Sequence, residues 1–220
     1  MSGWPSLEFE PSVAASPIWI RLRDAFTGRM PAGPISVSLE RRVGSDWLAF
    51  AHRHQISSTG DLAFLNLGRT RDPGAVGSFD VRITVLSRGT IAEAPDGSAA
   101  ITATVTAWAP GAPAVAPLPT ELRLFPSPSY AFPAGTPLLA GRVVDVHGNA
   151  IPRARIWAAV TVQNRLLTEE VRSDGDGRFR LPLRWSVGAT DIKATLGAQA
   201  GSITVSVPGD LSSTHQITLT

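Results

Sequence analysis

Residues 24 to 35 read DAFTGRMPAGPI, and residues 145 to 156 read DVHGNAIPRARI. Each stretch opens on an aspartate behind an apolar run, passes a glycine, reaches a proline and re-enters an apolar run at an isoleucine. From Asp24 to Ile35 and from Asp145 to Ile156 the spacing is 11 positions. A chain that writes one turn signature twice reads as a duplicated unit. The parallel continues along the chain. STGDLAFLNL answers to GDGRFRLPL, with Gly60 and Gly177 each two residues before a bulky apolar side chain, Leu62 and Phe179. FDVRITV answers to TDIKATL, and ELRLF to QITLT. The pairs Asp24/Asp145, Gly60/Gly177, Val81/Ile192, Ile101/Ile203 and Leu122/Ile217 lie 121, 117, 111, 102 and 95 positions apart. The spacing only falls, so element order is kept and the first copy carries the longer loops.

The elements are strands. Helical periodicity is nearly absent, while two-residue alternation recurs. In ITATVT, Ile101, Ala103 and Val105 take one face and Thr102, Thr104 and Thr106 the other. In SITVSV, Ile203, Val205 and Val207 oppose Ser202, Thr204 and Ser206. One dry and one wet face is the signature of sheets packed in a sandwich. The expected fold is all-β: two tandem transthyretin-like or immunoglobulin-like β-sandwiches of about seven strands each. The expected organisation is a tail over 1–15, a first sandwich over 16–125, a linker over 126–135 and a second sandwich over 136–220. A boundary inside the Pro-rich stretch 109–119 is the alternative; the later one gives both copies the same last strand.

Composition narrows the class. Hydrophobic residues make up 43% and charged residues 17%, which is globular. Without cysteine, neither disulfides nor thiolate metal sites are available. The first residues, MSGWPSLEFEPSV, lack a basic and an apolar signal region, and no run is long enough for a membrane span, so a cytoplasmic address is expected, with incorporation into a particle as an extension. A pI near 9.9 suggests nucleic acid, but the net charge is only +2 and the arginines are scattered among acids. A solvated surface explains them better.

LLAGRVVDVHGNAIPRARIWAAV followed by VRSDGDGRFRLPL resembles the carboxypeptidase regulatory-like domain, a transthyretin-like (prealbumin-like) β-sandwich. Gly141, Val143, Asp145, Gly148, Pro152, Ala154 and Ile156 fill the first part of its pattern, with Ala150 as one extra residue. Asp174, Gly177 and Phe179 fill the second. The first copy matches more weakly, through IRLRDAFTGRMPAGPISVSLER and STGDLAF. The resemblance implies binding and spacing modules, with one catalytic branch. LRDAFTGRMPAGPISVSLER is similar to the opening of 5-hydroxyisourate hydrolases, which carry a catalytic histidine three residues before the aspartate and end in Tyr-Arg-Gly-Ser. Arg21 stands at that histidine's place here, and the chain ends QITLT. A permanently charged guanidinium cannot act as the base, so no enzymatic activity is expected.

No cofactor, metal or small-molecule substrate is expected. Asp174 and Asp176 in SDGDG could be half a calcium loop, but a hairpin turn explains them better, since the first copy reads SSTGD. His52 and His54 could share a strand face as a metal pair; an exposed strand end is the simpler reading. His147 and His215 read as turn residues, and the serines near His215 carry no triad information. Trp19, Trp47 and Trp157 fall in strands and are expected in packing. Trp4 and Trp108, with Thr102, Thr104 and Thr106, are the candidate partner-binding residues. FPSPSYAFP is expected to be a stiff spacer. The function expected is a structural or adaptor protein docking to other proteins, with a phage tail or contractile injection-type assembly as context. An enzyme of the hydrolase type and a surface adhesin or carbohydrate-binding module are the alternatives.

Overall fold

The computed structural model describes residues 15–70, 77–108 and 118–220. They form sixteen strands, one 3-10 turn over Gly209–Ser212 and no α-helix. Nine strands precede residue 127: β1 (Trp19–Asp24), β2 (Ile35–Val43), β3 (Asp46–Ala49), β4 (Gln55–Ile56), β5 (Asp61–Ala63), β6 (Ser78–Ser87), β7 (Thr90–Glu93), β8 (Ile101–Thr106) and β9 (Thr120–Pro126). Seven follow: β10 (Leu138–Val144), β11 (Arg155–Val162), β12 (Arg165–Arg172), β13 (Arg178–Pro182), β14 (Gly188–Leu196), β15 (Gln199–Val207) and β16 (Thr214–Thr218).

The duplication is visible in the sheet orders. One sheet of the first set runs β4-β5-β1-β9-β7 and its partner β3-β2-β6-β8; the second set gives β13-β10-β16 and β12-β11-β14-β15. In both, the strand ahead of the repeated turn is flanked by one antiparallel and one parallel neighbour: β5 and β9 beside β1, β13 and β16 beside β10. The first set exceeds the expected seven strands through two short additions, β4 and β7. Register also refines the sequence pairing. Val81 lies opposite Ala103, whereas Ile192 lies opposite Ile203, so Val81/Ile192 and Ile101/Ile203 are out of step by one pleat.

Each sandwich closes on its own core. Ile20, Leu22, Leu62, Val81, Ile83 and Val105 meet in the first, and Leu139, Val143, Ile156, Phe179, Ile192 and Ile217 in the second. Strand alternation delivers these side chains inward, and dry apolar area is what stabilises the stack. The same alternation removes three tryptophans from the core. Trp19 sits between buried Ile18 and Ile20, and Trp157 between buried Ile156 and Ala158, so both indoles point outward and stay half-exposed. Trp47 is also half-exposed. Arginines cover two of these rings, Arg82 over Trp47 at 4.9 Å and Arg155 over Trp157 at 4.6 Å, as cation–π packing favours.

The repeated turns are built alike. The Asp24 carboxylate accepts the N–H groups of Phe26 and Thr27, and that of Asp145 accepts those of His147 and Asn149. Asp174 does the same for Asp176 and Arg178, and Ser57 replaces it in the first copy, accepting Asp61 N–H through its hydroxyl. These carboxylates serve backbone donors, which is turn chemistry. The glycine that follows has a positive φ and lies against the neighbouring strand: Leu22 N–H donates to Gly60 O and Val143 N–H to Gly177 O, both at 2.8 Å.

Candidate interaction surfaces

Strand β8 is the outer strand of its sheet and pairs only with β6 among the described residues. Beyond its end, Ala107 N–H donates to Gly77 O on the β6 side. Backbone direction alternates along a strand, so Ile101, Ala103 and Val105 bond toward β6. The N–H and C=O groups of Thr102, Thr104 and Thr106 therefore point away from the sheet. The three side chains are exposed, and Thr104 Oγ1 donates to Asp80 at 2.7 Å. Trp108 continues the edge, but there it is covered: its N–H donates to Gly68 O and Thr70 N–H donates to its carbonyl. The Trp108 indole N–H donates to Leu67 O, and Arg69 lies over the ring at 5.9 Å. Trp108 is thus half-buried and tied to its own sandwich. Trp4 and the Pro-rich residues 109–117 lie outside the described residues.

The corresponding strand β15 has the same parity and the same aspartate-threonine pair, with Thr204 Oγ1 donating to Asp191 at 2.7 Å. Its edge is closed at both ends. Ala200 and Thr220 exchange backbone hydrogen bonds of 3.1 and 3.3 Å, and the Asp210 carboxylate accepts Ser206 N–H at 2.7 Å. Thr218 lies so near that a Cβ on Gly201 would sit 2.2 Å from its carbonyl oxygen.

A second surface joins the two sandwiches, and no local sequence pattern announced it. Arg172, at the end of β12, is 4% exposed at its side chain and makes a bidentate pair with Glu93 of β7 at 2.5 and 2.7 Å. It also reaches Glu170 at 2.7 Å and lies 3.7 Å from the Phe125 ring centroid. Arg153, a non-glycine residue with φ of 59°, donates to Ala92 O at 3.0 Å. The extra strand β7 therefore supplies both acceptors. FPSPSYAFP is not a free spacer. Its Tyr130 hydroxyl donates to Asp24 at 2.7 Å, and Phe26, Tyr130 and Phe132 pack ring against ring. Burial first, and the Asp24 carboxylate second, push the Tyr130 phenol up, so it remains a donor. The signal available in sequence was the sole tyrosine in a Pro-rich stretch.

The residues weighed for chemistry are engaged elsewhere. Arg21 donates to Asp61 at 2.9 Å across β1 and β5 and holds that carboxyl below its usual range. His52 and His54 share no strand: they lie between β3 and β4, where His52 Nε2 meets Leu65 O at 2.8 Å and His54 packs near Phe64. His215 Nε2 meets Asp210 O at 2.9 Å. Among the described residues, no group of three or more metal-ligating side chains comes together. No described helix is long and apolar enough to cross a membrane.

No known protein family matches the chain, and neither does a curated protein sequence. Among solved structures it is similar to a streptococcal ancillary pilin, at 10% identity and a TM-score of 0.33, over 96% of this chain and 64% of that one. The chain thus spans less than two thirds of that pilin's length. It is also similar to the shaft pilin spaA from Lactobacillus rhamnosus GG, at 12% identity and a TM-score of 0.32, over 94% and 97% of the two chains. A DUF3823 family protein from Bacteroides uniformis gives 10% identity and a TM-score of 0.29, over 89% and 93%. Similarities of this size carry no argument about activity or partners.

Proposed function

We propose that this chain is a non-enzymatic structural or adaptor protein that docks to other proteins of a larger assembly. Two modules, 16–125 and 136–220, joined through 126–135, act together, and the first makes the specific contacts. The observation that carries the reading is the contrast between equivalent edges: Thr220 and Asp210 cover β15 at Ala200 and Ser206, while β8 presents Thr102 and Thr104 unpaired among the described residues. Open edges recruit strands from other chains, and monomeric proteins normally blunt them with charge, proline or cover. Trp108 is the aromatic candidate beside this edge; Trp4, the other candidate partner-binding tryptophan, lies outside the described residues.

The carboxypeptidase regulatory-like, transthyretin-like assignment belongs to this proposal. Its support is the pair of aspartate turns and the matching strand orders. A phage tail or contractile injection-type assembly, built in the cytoplasm, is the proposed context. Against hydrolase chemistry stands Arg21, ion-paired where an imidazole base is needed. Pull-down from lysate of the native host, with the full chain as bait, tests the reading. Structural proteins of one assembly are the expected catch. A chain that stays a free monomer and retains none of them contradicts it.

A further inference from the structure

We infer that the open edge of β8 receives a short extended segment of another protein, with an apolar side chain seated in the cleft beside Ile101 and a basic side chain against Asp96. This rests on the docking reading and names the chemistry of its partner.

The slot has two ends. At one, Gly68 packs so close that a Cβ there would lie 2.8 Å from Val105 Cγ1 and 3.2 Å from Thr106 O. At the other opens a cleft of about 280 Å³, walled by Ile18, Trp19, Ala94, Ile101, Ala103 and Leu118. Leu118 is 91% exposed, a large apolar side chain left in water at the mouth of an apolar cleft. Between these ends run the five residues Thr102–Thr106, roughly 17 Å of strand at about 3.4 Å per residue. An added strand would bond to the outward N–H and C=O groups of Thr102 and Thr104, stopping where Gly68 meets Thr106. Residues of that strand opposite Ile101 and Ala103 share their inward face and so enter the cleft.

Charge sets the remaining preference. β8 itself bears no charged side chain, and among the described residues Asp96 is the one charged residue lining the cleft. Its carboxylate accepts Ser98 N–H at 2.9 Å yet stays exposed. A segment carrying lysine or arginine next to its apolar residue complements this rim, while one carrying glutamate is repelled.

The test uses the full chain and fluorescein-labelled synthetic peptides, RTLTVT and its reverse TVTLTR, with ETLTVT and TVTLTE as charge controls, read by fluorescence anisotropy. At least one arginine peptide is expected to bind, and its glutamate counterpart about tenfold more weakly. Thr104→Pro removes an outward N–H that makes no backbone bond among the described residues, and should abolish binding. Thr204→Pro makes the same change on the closed edge and should leave binding intact. Asp96→Lys should invert the arginine-glutamate preference without touching the strand. Absence of binding to the wild-type chain, equal binding by Thr104→Pro, or an unchanged preference in Asp96→Lys overturns the inference. A host partner retained equally by wild type and Thr104→Pro would keep the adaptor reading and discard this edge as its seat.

Discussion

Glu169 of β12 is 5% exposed, with the Arg184 backbone N–H at 2.8 Å and its guanidinium at 2.6 Å. Burial raises its pKa above the ordinary 4.5, and Arg184 opposes this without cancelling it. Between the ordinary and the raised value the folded chain holds more protons than the unfolded one. This residue's contribution to stability is therefore present below the ordinary value and lost as pH rises through the raised one. Glu169→Gln should remove that part of the slope. Urea unfolding of both proteins, from about pH 4 to about pH 7, checks it: the stability difference between variant and wild type should shift in the variant's favour as pH rises. A difference independent of pH would contradict the assignment. Arg184 also lies 4.0 Å from the Phe26 ring centroid, so the same guanidinium serves a buried carboxylate and the contact between the sandwiches.

At the scale of elements, the turns decide which glycines are replaceable. Gly148 and Gly177 both have positive φ, but only Gly177 is crowded. A Cβ at Gly148 meets nothing within 4 Å, whereas at Gly177 it would lie 2.4 Å from Val143 O and 3.2 Å from Ile151 N. Gly148→Ala should cost about 1 kcal/mol, the price of left-handed backbone alone. Gly177→Ala must move backbone as well, and should cost more than about 3 kcal/mol in chemical denaturation. The paired aspartates and glycines were legible in sequence because turn chemistry is local, as were Ile101, Ala103 and Val105 against Thr102, Thr104 and Thr106. Trp19, Trp47 and Trp157 were expected in packing because hydrophobicity was weighed above strand parity, yet all three stay half-exposed. The junction was illegible for a different reason. Arg172 and Glu93 are 79 positions apart, and scattered arginines look alike until the fold chooses which to bury. The closure of β15 also escaped sequence reading, because Asp210 and Thr220 act on it from outside the strand.

For the whole molecule, Arg172, Arg153 and Tyr130 tie the two sandwiches together across the junction. Arg172 is buried between two carboxylates, and truncating it takes from Glu93 the guanidinium it pairs with, while Glu170 keeps Arg155 at 2.9 Å; breaking such a buried pair typically costs about 3–5 kcal/mol. Wild-type protein should unfold in one calorimetric transition, and Arg172→Ala should separate it into two, as the modules lose their coupling. A single unchanged transition in the variant would mean that the pair does not couple them. The equivalent strands β8 and β15 thus differ in cover, β15 being held at Ala200 and Ser206 while Thr102 and Thr104 of β8 have no backbone partner among the described residues. Amide hydrogen exchange of the free full-length chain tests that asymmetry most directly. The account predicts slow exchange at Ala200 and Ser206 and fast exchange at Thr102 and Thr104. Equal protection of both sets would contradict it.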